Sequence, residues 1–93
     1  MGHVEESNVT PAGYQQITDL DTAVGLTVPT GATRALIQAT TQSVRWRDDD
    51  TDPTDTVGMQ LAAGADMWYL GDLSRILFVQ EAASAKLNVS YYL

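Results

Sequence analysis

From residue 14 onward the chain alternates apolar and polar positions in short runs and never settles into the 3.6-residue period of an amphipathic helix. Val24, Leu26 and Val28 alternate with smaller or more polar neighbours, as do Ala35, Ile37 and Ala39, and again Leu87, Val89 and Tyr91. Successive strand residues point to opposite faces, so each trio is expected to face a core. Gly and Pro signals separate runs rich in Val, Ile, Thr, Trp and Tyr, and the pattern predicts strands over 14–18, 23–28, 33–40, 43–47, 59–61, 66–70, 75–81 and 86–92. The stretch from Arg75 to Val79 is apolar on both faces after its first residue. Such a strand is expected at the centre of a sheet covered on both sides, or at a subunit contact.

The residues expected inside are Ile17, Leu26, Val28, Leu36, Ile37, Val44, Trp46, Leu61, Trp68, Leu73, Ile76, Leu77, Phe78, Val79, Leu87 and Val89. That set suffices for one thin sandwich. The fold class is therefore all-β, a small antiparallel β-sandwich of Greek-key or jelly-roll kind. Residues 1–13 are polar and unpatterned and end in Pro11-Ala12-Gly13, which reads as an extended N-terminal arm ahead of a domain over 14–93. Leu26-Thr27-Val28-Pro29-Thr30-Gly31-Ala32 and Met59-Gln60-Leu61-Ala62-Ala63-Gly64-Ala65 echo one another. The echo fits two similar hairpin corners, or simply the reuse of one turn chemistry.

At 93 residues the chain makes one domain with a modest core, and without cysteine it has neither disulfides nor thiolate metal sites. A net charge of −7 opposes binding to nucleic acid or to anionic lipid. No apolar run approaches the roughly eighteen residues of a spanning helix, and the first residues lack the basic and apolar regions of a signal peptide. The protein is expected to stay in the compartment where it is made.

Catalytic chemistry finds little to work with. His3, the only histidine, lies in the arm, so no Ser-His or Cys-His pair is expected in the domain. There is no Gly-rich phosphate loop and no histidine cluster, and neither an enzyme nor a cofactor is expected. Asp48, Asp50 and Asp52 share the spacing of a calcium loop, but Pro53 stands where that loop needs glycine and Met59 where it needs a closing glutamate. A solvated acidic turn tied back to Arg45 and Arg47 is expected there instead of a metal site.

Aromatic side chains carry the binding expectation. Trp46 runs in phase with Val44 and reads as core, whereas the doublets Trp68-Tyr69 and Tyr91-Tyr92 place large side chains on both faces of their strands. Trp68, Tyr69, Tyr91 and Tyr92, with Val4 and Val9 of the arm, are the candidate protein contacts. A carbohydrate-binding module using Trp68, Tyr69 and Tyr92 is the alternative from another functional class.

The runs Val44-Arg45-Trp46-Arg47-Asp48-Asp49, Asp52-Pro53-Thr54, Val57-Gly58-Met59, Leu61-Ala62-Ala63-Gly64, Gly71-Asp72-Leu73 and Lys86-Leu87-Asn88-Val89-Ser90-Tyr91-Tyr92 resemble a group of small virion proteins of tailed bacteriophages. The likeness spans Tyr14 to Tyr92. It implies a β-sandwich structural protein, either a capsid decoration (cement) protein or a tail, baseplate or fibre-associated module. The partner it implies is the major capsid protein or another virion protein. The expected location is the virion, after synthesis in the bacterial cytoplasm. Self-association is also expected, and a trimer would suit local threefold sites on a capsid.

Overall fold

A computed structural model describes residues 9–93. It is all-β, with eight strands: β1 (Pro11–Ile17), β2 (Val24–Gly25), β3 (Arg34–Thr40), β4 (Val44–Arg47), β5 (Met59–Leu61), β6 (Asp66–Tyr69), β7 (Leu77–Gln80) and β8 (Lys86–Tyr92). They form two four-stranded sheets, ordered β1-β8-β3-β6 and β2-β7-β4-β5. All the pairings are antiparallel. β1 pairs with β8, β2 with β7, β3 with β6 and β4 with β5. The chain is thus a two-stranded ribbon whose successive rungs fall alternately in the first and second sheet, joined sideways by the β3–β8 and β4–β7 ladders.

The core lies between the sheets. Ala35, Ile37 and Ala39 of β3 and Leu87, Val89 and Tyr91 of β8 are buried as their alternation requires, and they meet Val44, Leu61 and Phe78 of the second sheet. Burying each large apolar side chain contributes about 1.5–3 kcal/mol. Leu20, Leu73, Ile76 and Ala85 add buried apolar groups from the connections. Val24, Leu26 and Val28 pack against this core but stay half-buried, because β2 is a two-residue edge strand with no neighbour beyond it. Leu36 and Trp68, expected inside, lie on the outer face of the first sheet. Leu36 is half-buried and Trp68 is exposed.

β7 is central in the second sheet and covered on both faces by its own chain. Phe78 is buried in the core, and Val79, one residue on and facing the other way, is buried too. The connection over 48–58 supplies that second cover: Pro53 is buried and lines one hollow together with Val79 and Glu81. Gly58 makes the return possible. Its φ is +137°, and a Cβ there would sit 3.0 Å from the Trp46 carbonyl oxygen and 3.3 Å from both Arg45 Cβ and Pro53 Cβ. Arg45 fastens the underside, donating from Nη1 to the Gly58 carbonyl at 3.0 Å and from Nε to Glu81 Oε2 at 2.6 Å.

The N-terminal boundary differs from the expectation. β1 starts at Pro11, with Pro11 opposite Tyr92, Gly13 opposite Tyr91 and an irregularity between them. Leu93 N–H donates to the Thr10 carbonyl at 2.9 Å, and Ala12 packs on the core. Residues 11–13 are therefore strand and not arm. Polar or small residues at the start of an edge strand leave no alternation to read, which hid this part of β1.

Candidate binding surfaces

The 48–58 connection covers part of the outer side of the second sheet, over Arg45 and Val79, whereas the outer side of the first sheet is open. The open face presents Tyr14 from β1, Arg34, Leu36 and Gln38 from β3, Asp66 and Trp68 from β6, and Asn88, Ser90 and Tyr92 from β8. Cross-strand register aligns these side chains in rows. Tyr14 stands opposite Ser90, Ser90 opposite Leu36, and Leu36 opposite Trp68; the adjacent outward row is Gln16, Asn88, Gln38 and Asp66. The Trp68 and Tyr92 rings lie 5.3 Å apart, tilted by 50°.

One flank of the sandwich is apolar. β5 is the edge strand of the second sheet and β6 of the first, and four residues join them, so the two edges run along the same side. Trp68 (49% exposed) and Leu70 (70%) project here with Met59 (61%) and Val57 (49%). Beside Met59 a hollow of about 410 Å³ is lined by Trp46, Val57 and Met59 and rimmed by Arg47 and Asp49. Four of the six large exposed hydrophobic residues among the described ones, Val57, Met59, Trp68 and Leu70, lie on or next to these two edge strands.

The expected contact residues divide. Trp68 is exposed and Tyr92 half-exposed on the same face, where they touch. Tyr69 (7% exposed) and Tyr91 (1%) are buried and are not surface contacts. Their strands turn the second ring of one doublet and the first of the other inward. Tyr69 stacks edge-on against Trp46 at 5.9 Å and donates its hydroxyl to Asp48 Oδ2 at 2.7 Å, and Tyr91 donates to Gln15 Oε1 at 2.6 Å. Val9 is half-buried next to β1. Val4 lies outside the described residues.

The acidic turn is tied down differently from the expectation. Arg47 holds Asp49 through two hydrogen bonds of 2.9 and 2.6 Å, as expected, and keeps its carboxyl below the usual range. Arg45 instead reaches Glu81, while Asp50 is paired with Arg75 and Asp48 with Tyr69. The three consecutive carboxylates point to three different partners and do not converge. Among the described residues no cluster of three His, Cys, Asp or Glu side chains is placed to hold a metal ion.

The apolar flank and the row of amides were missed by reading the sequence. Val57 and Met59 sit at a loop end without alternation, and Gln16, Gln38 and Asn88 come from three strands distant in sequence. Only the register brings them together.

The fold and these surfaces define a small β-sandwich with one partly covered face, one open face and one apolar flank. No protein-family model, no curated protein and no solved structure matches the chain.

Proposed function

We propose that the chain is a non-enzymatic structural protein of a bacteriophage virion, binding the capsid surface and stabilising contacts between capsid subunits. The observation that carries the reading is the apolar flank, where Met59 of the edge strand β5 and Trp68 of the edge strand β6 stand exposed, with Val57 just before β5 and Leu70 just after β6. Large apolar and aromatic side chains beside a hollow are the usual anchors of a protein interface. The Trp46–Met59 hollow would receive an apolar side chain of the capsid protein, with the Arg47–Asp49 pair at its polar rim. Two further points support it. The strand pairs alternate between the two sheets, an arrangement compatible with the jelly-roll architecture used by viral capsid domains, and the sequence runs quoted above are similar to those of small tailed-phage virion proteins.

The test is the quantitative protein composition of purified particles, together with reassembly of the protein onto particles that lack it. A copy number matching the shell is expected, and Met59→Asp with Leu70→Asp should weaken particle binding at least about tenfold, or roughly 1.4 kcal/mol. A few copies per particle would move the protein to the tail, baseplate or fibre. Its absence from particles would end the virion reading.

A further inference from the structure

We infer that the open face of the first sheet is a saccharide-binding platform, whose centre is the amide-floored hollow between Tyr14 and Trp68. This inference does not rest on the virion reading: its centre is a different hollow with different chemistry, and the two surfaces meet only at Trp68.

The hollow, about 170 Å³, is lined by Tyr14, Leu36, Gln38, Asp66, Asn88 and Ser90. Its floor is already organised. Asn88 Oδ1 accepts from the Tyr14 hydroxyl at 2.7 Å and from Gln16 Nε2 at 3.0 Å, and Asn88 Nδ2 donates to Gln38 Oε1 at 3.1 Å. These bonds fix the orientation of the Asn88 and Gln38 amides before any ligand arrives, which lowers the entropy lost on binding. With its oxygen engaged, Gln38 offers its Nε2 hydrogens, and Asp66, its cross-strand neighbour, offers a carboxylate. A donor and an acceptor side by side match a pair of vicinal hydroxyls, each of which both donates and accepts.

Aromatic rings flank this polar floor. Tyr14 is 65% exposed on one side, and Trp68, steadied by Tyr92, stands on the other. The C–H face of a pyranose packs on such rings while its hydroxyls reach the floor. Charge favours a neutral ligand. The chain carries −7, yet Asp66 and Arg34 are the only carboxylate and the only cation in the rows from Gln16–Asp66 to Tyr92–Arg34. A protein interface keeps its polar groups towards the rim, whereas here amides occupy the middle.

The experiment is affinity electrophoresis of the full chain in gels containing glycogen, laminarin, xylan or galactomannan, with a printed array of bacterial surface polysaccharides. Retardation or array binding by at least one neutral polysaccharide is expected, with a change in tryptophan emission as Trp68 is covered. Tyr14→Ala and Gln38→Ala, both at exposed or half-exposed positions, should each weaken that binding about tenfold with unchanged melting temperature. Met59→Asp, which disables the proposed capsid flank, should leave it intact. Three outcomes would overturn the inference: no binding across the panel and array, binding that survives both substitutions, or capture of a capsid protein that Tyr14→Ala and Gln38→Ala abolish. The last would hand this face to a protein partner.

Discussion

Two buried phenols set how the molecule responds to alkali. Burial, reinforced by the hydrogen bond to Asp48, pushes the Tyr69 pKa up to about 12, and burial alone pushes Tyr91 up to about 12. In the unfolded chain a tyrosine titrates near 10. The folded state therefore holds these two protons more tightly than the unfolded state does. The resulting stabilisation is fully present below pH ~10 and is lost as pH rises through about 12. Thermal melts should show a constant midpoint from neutrality to about pH 9.5, then a steep fall between pH ~10 and ~12. A double variant, Tyr69→Phe with Tyr91→Phe, should fall less steeply relative to its own neutral value. A wild-type midpoint that stays level up to pH ~12 would show that neither phenol is protected as described.

At the level of elements, the strands were legible because residues such as Ala39, Leu87 and Val89 alternate with polar neighbours on strands buried on one face only. β7 was legible for the opposite reason: Phe78 and Val79 are both buried, since the 48–58 connection covers the outer side. The candidate site was read less well. An aromatic doublet says that one ring faces outward but not which one, and that choice rests on cross-strand register, as with Tyr69 opposite Ala35 and Tyr91 opposite Ala35 in the core row. The start of β1 was hidden by Pro11, Ala12 and Gly13, and its existence makes a prediction. A chain starting at Val9 keeps every pairing described here and serves as the reference. A chain starting at Tyr14 loses the Pro11–Tyr92 and Gly13–Tyr91 pairings, the Thr10–Leu93 hydrogen bond and the Ala12 packing. The cost should be about 2 kcal/mol, or roughly ten degrees for a domain of this size. Equal melting of the two truncated chains would mean that this end of β1 adds nothing to the fold.

At the scale of the whole molecule, most of the acidic charge lies apart from the open face of the first sheet, while the apolar flank borders it. Asp19, Asp21, Asp48, Asp49, Asp50, Asp52, Asp55 and Glu81 all lie on the connections over 18–23 and 48–58 or just after β7, away from the open face of the first sheet. Val57, Met59, Trp68 and Leu70 meanwhile stand exposed along the β5–β6 flank. Exposed apolar side chains favour self-association, and a net charge of −7 on so small a body opposes it by mutual repulsion. Which effect wins depends on screening. The Debye length is about 30 Å at 0.01 M salt but only about 3 Å at 1 M, so repulsion that reaches across a whole molecule in dilute buffer vanishes in strong salt. The attraction through the flank is not screened, because it comes from removing apolar surface from water. Sedimentation velocity at a fixed protein concentration should therefore find a monomer in ~0.01 M salt and a growing associated fraction towards ~1 M. Met59→Asp removes an apolar anchor and adds a charge at the same place, and it should keep the protein monomeric throughout. Association that weakens with salt, or that Met59→Asp leaves unchanged, would locate the self-contact elsewhere and remove the main support for treating this flank as the docking surface.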